Sequence, residues 1–554
     1  MRLTTSAGTT INGVFLYMAI DTNKPWEQSL GQFIAEVVAR DPGKTFIEIG
    51  GVSRTYQEFW DGVLKSAAMF SGLGIEKGDR VCLFMPNCVE YVYSWFGLSV
   101  IGAISVPVNT AYKRDEMAYI LNNAEVKGLV TDPSLADVAG AAADLAPSVE
   151  VKLLRGVEGA VPEGWTDFSE VHDAAVPLDN RPEISPYDIS MLVYTSGTTG
   201  NPKGVMCTHM MYVAAGQGFA HWTQATADDR FFTCLPYYHA NIQYYSTMGA
   251  LAAGGTLVVV DRFSASRFWG QVREAQATVV NFIGMMMPVL SKNEPKADDK
   301  DNTVRLFYGS PSFPPEFLAE FQDRFDTDII VGFGMTETCF GTIERIGAQR
   351  RAGSSGEPRQ HPQPGFENQV RIADPVTGVH VGVDTVGEIT IHNPAIMPGY
   401  WRNEEQNIET LRDGWLYTGD LGWVDADGFL YFVDRKKDII RRRGENISSQ
   451  EVENVVKRHP NVLDCAVLAV PSELGEDEVK AYVTPREGAT PDPAELVHWC
   501  ADNLAYFKVP RYWEIRDELP RTPSLRVRKD VLRQEKEDLI EGCFDLEAAG
   551  IKLR

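Results

Sequence analysis

Between residues 194 and 205 the chain reads Tyr194-Thr195-Ser196-Gly197-Thr198-Thr199-Gly200-Asn201-Pro202-Lys203-Gly204-Val205, directly after the apolar Met191-Leu192-Val193. Glycines let backbone N–H groups converge on an anion without interference from a Cβ, the hydroxyls add donors, and Lys203 adds charge. That set suits a polyphosphate. The spacing is not that of a P-loop nucleotidase, because two residues separate Gly200 from Lys203 and a glycine follows the lysine. Further along, Phe333-Gly334-Met335-Thr336-Glu337 offers a carboxylate beside an aromatic ring, and Gly414-Trp415-Leu416-Tyr417-Thr418-Gly419-Asp420 ends on a second carboxylate. A hard cation such as Mg²⁺ prefers carboxylate and phosphate oxygens. Taken singly, Glu337 reads as a surface acid, Asp420 as a turn residue and Phe333 as core.

The elements that must position these groups follow from apolar periodicity. Residues 81–85, 104–109, 128–132, 231–236, 256–261, 278–283 and 328–333 read as strands, and 90–101 and 114–124 read as helices between the first of them. Strand–helix–strand repetition predicts parallel sheet with helices on its faces. From about 365 to 433 short strands alternate with Gly, Asp and Pro turns, predicting a β-rich subdomain. After Asp434 a basic joint leads into a smaller α+β unit. The expected division is a body of residues 1–434 and a C-terminal unit of residues 435–554.

Composition narrows the class. Of 554 residues, 44% are hydrophobic and 23% charged, as in ordinary globular proteins. A net charge of −24 repels phosphate backbones, which argues against a nucleic-acid partner. The eight cysteines show no CxxC or zinc spacing and read as reduced thiols of a cytoplasmic protein. The apolar stretch at 13–20 reads as a buried strand or ordered arm rather than a signal peptide. The stretch at 91–108, interrupted by Gly97, Gly102 and Pro107, reads as a helix turning into a strand rather than a membrane span.

The loop at 194–205 resembles the signature of the adenylate-forming superfamily: acyl-CoA synthetases, peptide-synthetase adenylation domains and firefly luciferase. FGMTE (333–337), GWLYTGD (414–420), VDRKKDIIRRRGENIS (433–448) and FKVPRYWEI (507–515) match its other signatures in order, so the resemblance spans nearly the whole chain. LPYYHANIQYY (235–245) and SASRFWGQV (264–272) extend it to the carnitine/crotonobetaine-CoA ligase-like branch. The resemblance implies an α/β adenylate-forming fold: a large N-terminal domain of two α/β sheets plus a small β-barrel, and a mobile α+β lid.

It also implies roles. Thr195, Ser196, Gly197, Thr198, Thr199 and Lys203 would hold the β- and γ-phosphates of ATP, and Glu337 would bind Mg²⁺. Phe333 would face adenine, with Gly309, Ser310 and Pro311 along its other side and Gly334 and Thr336 close by. Asp420 would accept from the ribose hydroxyls beside Arg435. His239 would separate the acyl pocket from the CoA tunnel, although a lone histidine is as readily structural. Tyr244, Tyr245 and Met285 to Met287 would line an apolar acid pocket, or simply pack the core. Lys437 matches the hinge about which the lid swings, and Arg443, Gly444 and Glu445 would approach the CoA tunnel in the second of its two poses.

One match fails. Residues 519–529 read LPRTPSLRVRK, and the superfamily's glycine and catalytic lysine are here Leu525 and Arg526. In relatives that lysine sets a compact ammonium between the acid's carboxylate and the α-phosphate. Arginine keeps the charge, but its planar fork is wider, and a leucine strains a loop shaped around glycine. Lys529 matches a second basic position rather than the missing one. The expectation is an acyl-CoA ligase that transfers an acyl group from acyl-adenylate to CoA, poor at making the adenylate and served by a separate adenylating enzyme. The alternatives are a complete ATP-dependent ligase and a silent nucleotide-binding protein. Intact Lys203, Glu337, Asp420 and His239 argue against the last.

Overall fold

The seven apolar runs between residues 81 and 333 that read as strands each form one, and the longer-range pattern follows from how those strands are covered. The computed structural model describes residues 24–195, 202–284, 286–310, 312–435, 438, 440–442, 445–471, 477–504, 506–522, 526–551 and 553. The apolar stretch at 13–20 lies outside the described residues.

Among these residues, seven strands make one sheet, with Arg80–Phe84 between Val126–Thr131 and Ile104–Pro107, all parallel. The far edge of this sheet is the antiparallel hairpin Ile189–Thr195 and Lys203–Thr208. Nine strands make a second sheet, in which Arg230–Thr233, Val279–Ile283, Leu306–Ser310 and Asp328–Met335 run parallel side by side. A main core of buried Trp, Tyr, Phe and aliphatic side chains is shared by elements of both sheets. The helix Val89–Ile101 is buried on nearly every side, which explains its uniformly apolar sequence. Left-handed Gly102 ends it (φ 74°), and the chain turns straight into Ile104–Pro107. Among the described residues, no helix is long and apolar enough to cross a membrane.

The β-rich stretch is a five-stranded antiparallel sheet built on Trp415–Val424, flanked by Gly387–His392 and Leu430–Arg435. Beyond it the C-terminal unit packs the helices Ser449–Lys457 and Pro493–Asn503 on a sheet led by Val462–Pro471 and Asp477–Pro485, with its own core. Asp434 ties the two parts together. Its carboxylate accepts from Ser448 and Ser449 and from the Gln450 N–H, capping the first helix of the C-terminal unit.

Candidate active site

Lys203 and Thr195 face each other across the hairpin, as the last register pair before the loop that joins them. Ser196, Gly197, Thr198 and Thr199 lie outside the described residues, as do Pro311, Lys437, Arg443, Gly444 and Leu525; of Glu445 only the backbone is described, in the strand Glu445–Ile447. Hairpin geometry puts the lysine at the mouth of the loop, a consequence of pairing that the linear motif does not reveal.

Lys203 and Glu337 belong to different sheets, and a single segment stitches them together. Met397 N–H donates to Glu337 O (2.8 Å), and Ile396 bridges Thr338. Three residues on, Tyr400 bridges Val205, and Trp401 N–H donates to Gly204 O (2.7 Å). The segment thereby delivers the Tyr400 hydroxyl to Glu337 Oε1 at 2.8 Å, with Lys203 Nζ 5.4 Å from the centre of the same ring. Lys203 also donates to Gln406 Oε1. Burial pushes the Glu337 carboxyl up, opposed by the Tyr400 hydrogen bond and the charges of Arg435 and Lys203. Burial likewise holds the Lys203 ammonium below its usual range. A cation arriving beside Glu337 would relieve the carboxylate, and a phosphate beside Lys203 would relieve the ammonium. Tyr400 and Gln406 were invisible to motif reading; the Pro398-Gly399 turn marks a change of direction and nothing more.

Asp420 and Arg435 are a register pair on adjacent strands, with Arg435 Nε 3.3 Å from Asp420 Oδ1. Asp420 is 6% exposed, and burial lifts its carboxyl from 3.8 to about 6 despite the opposing charges of Arg435 and Arg526. Arg526 therefore lies in the same electrostatic neighbourhood. The hairpin that carries it is closed by Thr522 N–H to Arg526 O (2.7 Å) and Arg526 N–H to Thr522 Oγ1 (3.1 Å). Arg526 is exposed to solvent, and its guanidinium is held down to about 10 chiefly by the like charge of Arg435, against the attraction of Asp420 and Asp438. Lys529 is occupied elsewhere, donating to Ser449 Oγ at 2.6 Å and pairing with Glu453 at 2.7 Å.

Lys203, Glu337, Asp420, Arg435 and Arg526 thus form one chain of interacting charges drawn from five separate segments. Thr336 sits on the turn beside them, its carbonyl accepting from the Tyr244 hydroxyl (3.1 Å). Two nucleotide candidates have structural duties. Phe333 is 9% exposed and packs with Ile372, Ile389, Ile391 and Leu430. Gly309 is required by its neighbour, since a Cβ there would lie 2.0 Å from Phe282 O. Ser310 follows it at the strand end. Gly334 is exposed. His239 stands apart from the charges; burial lowers its imidazole to about 4, and its Nε2 has no hydrogen-bond partner. Met286 and Met287 are core residues, and Met285 is outside the described residues.

No cluster of three or more metal-ligating side chains occurs among the described residues. A buried carboxylate near Lys203 nevertheless suits Mg²⁺, which commonly takes one or two carboxylates and draws its other ligands from water and phosphate.

Known proteins resemble the chain in both sequence and fold. A family model described as AMP-binding enzyme matches residues 34–401, and one described as AMP-binding enzyme C-terminal domain matches 451–526. The chain is 35% identical over 495 residues to a crotonobetaine/carnitine–CoA ligase of Escherichia coli O8 (strain IAI1), covering 87% of this chain and 94% of that one. It superposes on ATP-bound MatB from Rhodopseudomonas palustris with a TM-score of 0.82 at 28% identity, covering 92% and 100% of the two chains. On the anthranilate CoA ligase AuaEII in complex with anthranoyl-AMP the TM-score is 0.83 at 25% identity, covering 93% and 98%.

Proposed function

The chain belongs to the AMP-binding enzyme family as an acyl-CoA ligase, and from that premise we propose that it carries out chiefly the thioester-forming half of the ligase reaction. In that half-reaction the sulfur of CoA attacks the carbonyl carbon of an acyl-adenylate. A C–S bond forms, the C–O bond to the phosphate breaks, AMP leaves, and the thiol proton passes to solvent. Asp420 and Arg435 hold the ribose, and Lys203 and Glu337 border the phosphate, with Mg²⁺ supplied alongside ATP wherever the first half-reaction runs. His239 is neutral and lines the acyl side. The C-terminal unit acts as a lid from residue 435 onward, hinged near Lys437, and Arg443, Gly444 and Glu445 serve the CoA side.

The observation that carries the reading is Arg526. It stands at the charged cluster where relatives present a lysine, and it is itself repelled by Arg435. A guanidinium so placed is a poor point charge for the acid–phosphate contact, and losing one well-placed donor lowers a rate by roughly 10²–10³. Lys529 is tied to Ser449 and Glu453 and does not replace it. A separate adenylating enzyme would then supply the substrate, and the compartment is the cytoplasm. One observation favours the complete ligase instead: Arg526 stays protonated at neutral pH, so the positive charge is kept.

AMP release separates the two. Synthetic acyl-adenylates with and without CoA are compared with ATP plus the matching free acids, for the wild type and Arg526→Lys. The proposal expects CoA-dependent AMP release from adenylates, a near-silent ATP arm, and a gain of about 10²-fold in that arm for Arg526→Lys. Equal activity in both arms of the wild type would establish an ordinary two-step ligase.

A further inference from the structure

Arg359 is 2% exposed, yet among the described residues no carboxylate pairs with it. It leaves the edge strand Glu357–Pro358, anchored by its own N–H to Gly341 O (2.9 Å), and turns inward. Nε donates to Thr342 O at 2.8 Å, and Nη1 to the Tyr245 hydroxyl at 2.6 Å and Cys339 O at 3.3 Å, while that hydroxyl donates its own proton to Cys339 O at 3.0 Å and so faces the guanidinium as an acceptor. The rings of Trp222, Tyr245 and Tyr308 surround it, their centres 5.1, 5.1 and 6.0 Å from Cζ. Carbonyls, a phenol and three ring faces offset the charge of this buried guanidinium, and no anion pairs with it among the described residues.

Its position gives that charge a use. Gly332 and Gly334 lie on the strand that leads to Glu337. A Cβ on Gly332 would lie 2.6 Å from Arg359 Nη2, and one on Gly334 would lie 3.1 Å from the Tyr245 hydroxyl and 3.5 Å from Nη1. Where a side chain would stand at the exposed Gly334, the wall therefore shows the Tyr245 hydroxyl and the edge of Arg359. Tyr245 comes from the π-helical turn Ile242–Thr247, a geometry that recurs at functional sites. The preceding Tyr244 donates to Thr336 O, which keeps this turn against the Glu337 segment.

We propose that the acyl pocket ends on Arg359 and Tyr245 and selects an acid whose tail carries an oxygen acceptor, a second carboxylate being the best match for the unpaired guanidinium. The proposal rests on the reading of the site as one for acyl-adenylates. Arginine recognises a carboxylate through paired N–H bonds, and a site built to bond a polar group discriminates strongly against analogues that lack it. A cationic tail meets like charge here and is rejected.

Acylsulfamoyl adenosines, which bind without turning over, test this by titration calorimetry. A series of chain lengths is made with ω-carboxylate, ω-methyl-ketone or plain methyl ends. At the matching length the wild type is expected to bind an oxygenated tail at least about tenfold tighter than the methyl end. Arg359→Lys and Tyr245→Phe should each erase most of that preference, leave the methyl-ended affinity within about twofold, and leave AMP binding unchanged. The two oxygenated series tell carboxylate from ketone. Absence of a preference at every length, or one that survives in both variants, overturns the proposal. Because binding needs no turnover, a failed thioester assay leaves this outcome readable, and the converse holds.

Discussion

Replacing Asp420 by asparagine should make the ligand-free protein more stable at neutral pH while weakening its hold on the nucleotide. The reason is the buried carboxyl, lifted from 3.8 to about 6 because burial outweighs the pull of Arg435 and Arg526. At about 1.36 kcal/mol per pH unit, that rise corresponds to about 3 kcal/mol. The sign follows from proton uptake. Between pH 3.8 and about 6 the folded protein keeps a proton that the unfolded chain has lost, so the burden is absent below the unfolded value and complete above the folded one. Wild type should therefore lose stability relative to Asp420→Asn as pH rises, with about half of the difference developing between pH 5 and pH 7. Urea unfolding of both proteins across pH 5–8 reads this directly, because titrations elsewhere cancel in the comparison. Arg435 is partly exposed, and water can take up its lost partner. In parallel, AMP binding by wild type should weaken about tenfold between pH 7 and pH 5, as the acceptor protonates, and should be weak and pH-independent in the variant. A variant no more stable than wild type at pH 7.5, with a difference that stays flat across the range, would refute the assignment of Asp420 as a strained, ligand-seeking carboxylate.

Tyr400→Phe removes the hydrogen bond to buried Glu337 and should cost about 1–3 kcal/mol in urea unfolding; where ATP is consumed, it should also raise the magnesium needed for half-maximal rate. Lys529→Met removes one partner of Glu453, which is 5% exposed and keeps Lys457 at 3.8 Å and the Val467 N–H at 2.9 Å, and should destabilise the C-terminal unit by about 1–3 kcal/mol, seen as earlier proteolysis there. If Lys529→Met instead abolished adenylation in a fully stable protein, Lys529 would be the working lysine. His239, held to about 4, should remain neutral in NMR titration down to about pH 5, and His239→Gln should leave the pH profile of CoA-dependent AMP release unchanged in shape.

Much of this chain is legible in the order of its residues alone, and the reason is local. Parallel strands buried on both faces are predominantly apolar, so runs such as 81–85 and 256–259 declare themselves, and Gly102 marks where a buried helix must stop. The motifs at 194–205, 333–337 and 414–420 identify the family as an ordered set, although each residue taken singly has an ordinary structural reading. The loss of lysine at 526 is equally plain in the sequence.

What the tertiary structure decided is which of these groups meet. Tyr400 reaches Glu337 only because the segment 396–401 pairs with strands from two different sheets, a contact across 63 positions that no local pattern encodes. The repulsion between Arg526 and Arg435, and the burial that lifts Asp420 against the pull of both, exist only because the fold brings these three segments together. Arg359 reads in the sequence as one more surface arginine beside a proline. Its burial without a counter-charge depends on the packing of Trp222, Tyr245 and Tyr308, which come from three other elements. Residue type sets what each side chain is able to do, while desolvation and distance, which exist only in the folded chain, set which of them are held under electrostatic strain and so which ones await a ligand.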